Sequence, residues 1–370
     1  MLTMEGCRRR QERLLEAMRD EGLDVLFVSN AKHVYYLTGL LETRLPVGAL
    51  VRQEGEVWLL APEGGAEAAA DRLYSYPRYA MDRVQNHAAE AADLLKAALG
   101  GPAPNAATIG IEPGAISETL MEPIVATFTR AEWRDAAPLF ARLRKKKEAD
   151  EIALIRRGVV LCEAGYEAAR ALVAPGKSEC DLYLAVYAAL VQEAGTSVPF
   201  AGDFGCGTRA AAGGPPTRRI LGAGELVILD LFPTFDGYWA DLCRTFAVTE
   251  ADALQQEAWA RVRDALALAE SMVQPGVRGS DLWREVREFL DGFERARGSF
   301  AHHAGHGIGL DPHEAPRLIP GSDHVFELGD VFTLEPALYG EALRGGVRIE
   351  QLYVLREGGP ERLSKFPIEL

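Results

Sequence analysis

Twice in the second half of this chain, a strand-like apolar run ends in an acid. Gly224-Glu225-Leu226-Val227-Ile228-Leu229-Asp230 parallels Gly329-Asp330-Val331-Phe332-Thr333-Leu334-Glu335. Each copy reads glycine, acid, three apolar or β-branched residues, leucine, acid. Each is followed by a return strand with another acid at its inner end. The first return is Tyr238-Trp239-Ala240-Asp241, and the second is Gly346-Val347-Arg348-Ile349-Glu350. A charged carboxylate at the buried end of an apolar strand is costly unless a cation accompanies it. One such acid reads as well as an ion pair with a nearby arginine. Two in related hairpins, each with a second acid, favour a metal. The duplication also predicts a half-fold repeated about a pseudo-two-fold axis, with one site between the halves.

The segment Ala301–Pro316, AHHAGHGIGLDPHEAP, adds imidazole to the carboxylates. Four of the seven histidines lie there: His302, His303, His306 and His313. Gly305, Gly307 and Gly309 surround His306 and are expected to let the backbone pass close to an ion. Four carboxylates and one imidazole suit Mn, Fe or Co, and zinc less well. Bridging carboxylates accommodate two ions that share a hydroxide, a nucleophile at neutral pH, and amide hydrolysis is the natural reaction.

The 370 residues allow two domains. Gly22 stops an amphipathic helix over 8–21. Short strands are expected at Leu23–Val28, Val47–Val51, Val57–Ala61 and Thr108–Glu112, with Ala-rich helical stretches over 63–105 that end in Gly100-Gly101-Pro102. This alternation suggests a small α/β domain. The boundary falls near Arg142–Glu148, RLRKKKE, read as a solvated crossover. Helices follow over 149–172 and from Ser178 to about Gly195, then over 251–273 and 279–292, with strands between and after.

A net charge of −14 argues against a nucleic-acid backbone as partner. The acid excess reads either as solubility or as cation ligands. Five cysteines without a CxxC pair exclude a disulfide scaffold and fit a reducing compartment. No run approaches the ~20 apolar residues that span a bilayer, and the N-terminus lacks an apolar signal core, so the cytoplasm is expected.

These pieces resemble the pita-bread metallopeptidases: aminopeptidase P, prolidase and methionine aminopeptidase. The matching stretches are ILDLFPTFDGYWADLCRT, HHAGHGIGLDPHEAP, TLEPALY and GVRIE, in the family's order and spacing. GLDVLFVSNAKHVYYLTG resembles the creatinase-type domain that precedes the catalytic domain in prolidase and aminopeptidase P. The resemblance implies an α/β creatinase-like domain over 1–143. It also implies an α+β pita-bread catalytic domain over 144–370 with an internal pseudo-two-fold repeat. By position, Asp230, Asp241, His306, Glu335 and Glu350 match five ligands to two divalent ions, Mn first, with Co, Fe or Zn as alternatives. Glu335 matches the group that takes the proton of the bridging water. His313 matches a histidine acting at the tetrahedral intermediate, and His302 one in the substrate pocket. Arg348 matches an arginine that orients a ligand carboxylate, and Tyr339 the tyrosine of a Glu-Pro-x-x-Tyr turn. His303 and His324 read as structural. The resemblance further implies a short peptide substrate cleaved at Xaa-Pro and a homodimer, with neither nucleic acid nor membrane as partner.

One departure bears on function. The family places a histidine seventeen positions before the first ligand aspartate, where it contacts substrate near the scissile bond. Here that position is Gly213, and no histidine lies between His87 and His302. Gly213→His probes this: a gain in Xaa-Pro turnover would show that the missing group matters. The departure also keeps open a hydrolase or lyase on the same fold with a non-standard amide or non-peptide substrate. A non-catalytic peptide-binding module ranks last, because all five ligands are present. Cys206 and Arg209, near Gly213 in sequence, read as an inert buried thiol and a solvated cation.

Overall fold

The computed structural model describes residues 1–65, 67–101 and 107–370. Pro102, at the end of the Ala-rich stretch, lies outside them. The chain forms two compact units, Met1–Arg144 and Lys145–Leu370.

The first unit opens with α1 (Met4–Glu21). The Thr3 hydroxyl accepts from Gly6 N at 3.0 Å, and Gly22 closes the helix at φ 65°. The strands are β1 (Val25–Val28), β2 (Gly48–Arg52), β3 (Val57–Pro62), β4 (Arg72–Tyr76), β5 (Thr108–Ile111) and β6 (Glu132–Asp135). Among the described residues they form one sheet in the order β4-β3-β2-β1-β5-β6. It is mixed: β1 pairs antiparallel with β2 and parallel with β5. Helices α2 (Ala31–Thr38), α3 (His87–Leu99), α4 (Glu118–Thr127) and α5 (Ala137–Lys145) complete the unit. Ala91 and Leu95 of α3 and Leu120 and Ile124 of α4 pack on Phe27, Leu50, Trp58 and Ile109 of the sheet. Sequence periodicity missed β4. It sits in the Ala-rich stretch, and its burial gives no two-residue alternation, with Arg72 and Leu73 both exposed.

The second unit begins with α6 (Ala149–Arg170) and α7 (Glu179–Ala194), each started by a capping box, Glu148 with Glu151 and Ser178 with Asp181. Strands β7 (Phe200–Cys206), β8 (Leu226–Phe235) and β10 (Leu242–Ala247) pair antiparallel, and β9 (Tyr238–Trp239) folds back on β8. Helices α8 (Ala253–Met272) and α9 (Gly279–Asp291) follow. Five strands make the other sheet: β11 (Gly305–Gly307), β12 (Glu314–Leu318), β13 (Val331–Leu334), β16 (Gln351–Arg356) and β17 (Gly359–Arg362). The hairpin of β14 (Ala337–Gly340) and β15 (Gly345–Arg348) stands between β13 and β16 in sequence.

The two acid-bearing strands share one core. Leu226 and Ile228 of β8, Phe332 and Leu334 of β13 and Val347 of β15 pack with Val262 and Leu266 of α8 and Leu282 and Val286 of α9. Glu350 N donates to Cys243 O at 3.1 Å, which ties the second return strand to β10 beside Asp230. The repeat seen in sequence therefore meets over one core but does not fold as two simple hairpins: β13 pairs with β11 and β16, while the expected return strand Gly346–Glu350 pairs through β15 with β14. Nor does Asp230 end its strand, since β8 runs on to Phe235. No helix among the described residues is long and apolar enough to cross a membrane.

The basic run is not the solvated crossover its composition suggests. Lys147 is 5% exposed, and its Nζ lies 2.9 Å from Glu314 Oε2, itself nearly enclosed. Lys145 pairs with Glu327 at 2.5 Å. A local run of charge carries no information about a partner 167 residues away. Removing one member of a buried pair leaves the other charge uncompensated. Lys147→Met should therefore destabilise the protein by about 3 kcal/mol, read as a lower urea midpoint. A change below ~0.5 kcal/mol, the size of an ordinary surface substitution, would show that the pair contributes nothing.

Candidate metal centre

Asp230 lies in the middle of β8, and Asp241 immediately precedes β10. His306 is the central residue of β11. Glu335 directly follows β13, and Glu350 stands between β15 and β16. All five are buried and line one cavity of about 320 Å³. Tight strand packing sets His306 in place. A Cβ on Gly305 would lie 2.0 Å from Thr333 O, and one on Gly307 2.0 Å from Ala315 O. The neighbouring strands therefore by themselves require glycine at 305 and 307. His306 Nδ1 lies 3.0 Å from Gly307 O and donates to it, which leaves the Nε2 lone pair facing the carboxylates. Nε2 is 3.5 Å from Glu335 Oε1, 3.7 Å from Asp241 Oδ2 and 3.9 Å from Glu350 Oε1.

The donor set fits divalent metal. Asp230 Oδ1, Asp241 Oδ1 and Glu350 Oε1 are buried without a hydrogen-bond partner among the described residues. Asp241, His306 and Glu350 offer ligand atoms all within 4.8 Å of one another, and His302, His303 and Glu335 form a second such group. Hard oxygens with imidazole match Mn, Fe, Co or Zn. The proton affinities show the same deficit of positive charge. Burial pushes Asp230 up to about 6, against the pull of Arg348. Burial, and then the neighbouring carboxylates, push Asp241 and Glu350 well above the usual carboxylate range. Burial holds His306 down to about 3, so the ring is neutral and able to ligate. Glu335 differs: burial alone would raise it, but the imidazoles of His303, His306 and His302 hold it below its ordinary value.

Arg348 Nη2 donates to Asp230 Oδ2 at 2.5 Å, as an arginine orienting a ligand would. His313 lines the cavity, with its ring 4.1 Å from that of His306. His302 and Tyr339 stand at the edge of that wall, with His302 Nδ1 3.9 Å from Glu335 Oε2. His302 Nε2 is 3.0 Å from Tyr339 Oη, and both line a neighbouring cavity of about 560 Å³. Cys206 is buried, and burial pushes its thiol up to about 12, the inert thiol expected. Arg209 is not a free surface cation, since its Nε donates to the fully buried Glu179 at 3.1 Å.

Two cavity residues escaped the sequence reading. His303, read as structural, has its Nδ1 2.9 Å from Glu335 Oε1. Its three-residue spacing from His306 was the available signal, but the bends around β11 place it, and spacing alone does not. Asp203 also lines the cavity. It directly opposes Asp230 in the β7–β8 register, and no motif marks it.

Residues 153–357 match the model of metallopeptidase family M24. The chain belongs to that family. Residues 10–146 match the creatinase/prolidase N-terminal domain. The Xaa-Pro dipeptidase of Pyrococcus furiosus is 28% identical over 363 residues, 98% of this chain and 99% of that one. The solved prolidase from Pyrococcus furiosus superposes with a TM-score of 0.78 at 25% identity, over 95% of this chain and 99% of its own. The Xaa-Pro dipeptidase structure from Bacillus anthracis gives a TM-score of 0.81 at 25% identity, over 98% and 99%. This M24 chain has the pita-bread fold behind an α/β N-terminal domain, and it is a metal-dependent peptidase.

Proposed function

We propose that this M24 peptidase hydrolyses Xaa-Pro bonds in short peptides, with Xaa-Pro dipeptides as the first substrates to test. The observation that carries the reading is the convergence of Asp230, Asp241, His306, Glu335 and Glu350 on one cavity with carboxylate oxygens left unpartnered. Relatives covering nearly the whole chain are Xaa-Pro dipeptidases. These five residues would hold two divalent ions, Mn foremost. When bound, such ions lower the pKa of water and polarise a carbonyl.

The chain's own groups do the rest. Glu335, whose carboxyl is held below its ordinary value and is therefore ionised at neutral pH, accepts the proton that the attacking water gives up. Arg348 fixes the rotamer of Asp230 through its 2.5 Å hydrogen bond. His313, neutral because burial lowers its pKa, stands where a developing oxyanion can receive a hydrogen bond from its ring. His302 and Tyr339 hold each other at the adjoining cavity, a suitable wall for the remainder of the peptide. In this reading residues 144–370 are the catalytic domain and 1–143 the creatinase-like domain. A cytoplasmic homodimer is included on the family resemblance.

Protein reconstituted with Mn²⁺ should cleave Ala-Pro and Met-Pro, and leave Ala-Ala largely intact. Equal rates on Ala-Pro and Ala-Ala would remove the proline specificity. Two equivalents of bound metal with no turnover of Xaa-Pro dipeptides or Xaa-Pro-Yaa peptides would sink the reading.

A further inference from the structure

Gly213 is not an empty place awaiting a side chain. Its φ is +63°, and a Cβ there would lie 2.5 Å from Asp203 Oδ2. The Asp203 carboxylate already fills that space, so Gly213→His would displace an acid and not restore a missing group. Asp203 Oδ1 accepts from Gly214 N at 2.8 Å, which fixes the carboxylate over the Gly213-Gly214 turn. Its other oxygen accepts no hydrogen bond among the described residues and stands 3.6 Å from Arg348 Nη2. Asp230 already compensates Arg348 at 2.5 Å. Asp203 is also the most open of the two: its side chain is 28% exposed, against 11% for Asp230.

We propose that Asp203 is a specificity-determining residue whose free carboxylate oxygen receives a protonated amine of the substrate. The proposal rests on the peptidase reading above. Directly opposed residues of an antiparallel pair point to the same face, and like charges there repel. An acid held opposite Asp230 by its own backbone hydrogen bond therefore adds negative potential to the cavity wall. Arg348 is already compensated by Asp230, so the Asp203 carboxylate is left to attract another cation, and an ammonium there gains a charge-assisted hydrogen bond. The amine is either the α-ammonium of the peptide or a lysine side chain, and four small probes separate the two.

Norleucinamide carries only the α-ammonium, and N-acetyl-lysinamide only the side-chain ammonium. Lysinamide carries both, and N-acetyl-norleucinamide neither. Calorimetry on Mn²⁺-loaded wild-type protein at pH 7 should show lysinamide binding about tenfold more tightly than N-acetyl-norleucinamide, the usual worth of one hydrogen bond to a charged group. Whichever singly charged probe keeps that advantage identifies the amine. Asp203→Asn preserves the acceptor for Gly214 N and should abolish the preference with metal content unchanged. Asp203→Glu, which keeps the charge, should retain part of it. Equal binding of all four probes by the wild type, or an unchanged preference in Asp203→Asn, overturns the proposal. Because binding is measured without turnover, absence of Xaa-Pro cleavage would defeat the peptidase reading while leaving this result to stand or fall separately.

Discussion

Asp241→Ala should leave a folded protein without stoichiometric metal and without measurable peptide hydrolysis. Asp241 is 6% exposed, its Oδ1 has no hydrogen-bond partner among the described residues, and its Oδ2 lies 3.7 Å from His306 Nε2. A carboxylate so placed has no structural task that alanine would fail to perform. Losing a hydrogen-bond partner of a ligand costs roughly 10–100-fold in metal affinity or activity, and losing a ligand outright should cost more. Metal content after dialysis, measured by plasma mass spectrometry, and turnover of Ala-Pro give the two readouts. The melting temperature separates ligand loss from misfolding. Burial and the neighbouring carboxylates push the Asp241 pKa well up, so in the metal-free wild type this group is a source of strain. Metal-free Asp241→Ala should then melt no lower than metal-free wild type. Undiminished metal in the mutant would refute the assignment of Asp241 as a ligand.

Stripping metal from the wild type should destabilise it, and increasingly so as pH rises above 6.5. A carboxyl whose folded pKa is raised holds a proton that the unfolded chain has released, so its stabilising contribution is present at low pH and is lost as pH rises through the folded pKa. Asp241 and Glu350, pushed well above the usual range by burial and then by neighbouring carboxylates, act in this direction. Asp230, raised to about 6, completes its loss near the start of the window. His306 works oppositely. Its pKa is lowered to about 3, so folding loses stability only as pH falls below the ordinary histidine value near 6.5. Above pH 6.5 that opposing effect is gone. Each raised carboxyl still titrating contributes up to about 1.4 kcal/mol per pH unit, or roughly 2–4 °C in a protein of this size. The gap in melting temperature between Mn²⁺-saturated and chelator-treated protein should widen from pH 6.5 to 8.5. A gap that stayed constant or narrowed would mean that these carboxyls are not forced together without metal.

Much of this was legible in the chain because it is local or repeated. The helix cap Ser178 accepts a hydrogen bond from a backbone amide within three residues, so a short window of sequence contains the whole interaction; the first helix, expected from residue 8, in fact starts at Met4 behind Thr3. The acids at 230, 241, 335 and 350 were visible because a charge within or beside an apolar strand is anomalous wherever the strand packs. What stayed hidden depended on distant partners. Lys147 looks solvated until β12 delivers Glu314. His303 looks incidental until the turn after β13 brings Glu335 within 2.9 Å.

Gly213 and Asp203 show where sequence stops and tertiary structure takes over. From sequence, position 213 is a deletion of function: glycine where the family carries histidine. In space it is a substitution, because the 207–214 loop folds back on β7 and Asp203 occupies the volume. The sequence alone determined the five ligand-type residues and the family, since each rests on residue type and spacing along the chain. Only the tertiary structure decided which charges meet, which oxygens are left without partners and which acid stands at 213. Coulomb energy and hydrogen bonding depend on separations of a few ångströms between atoms that the chain places tens or hundreds of residues apart.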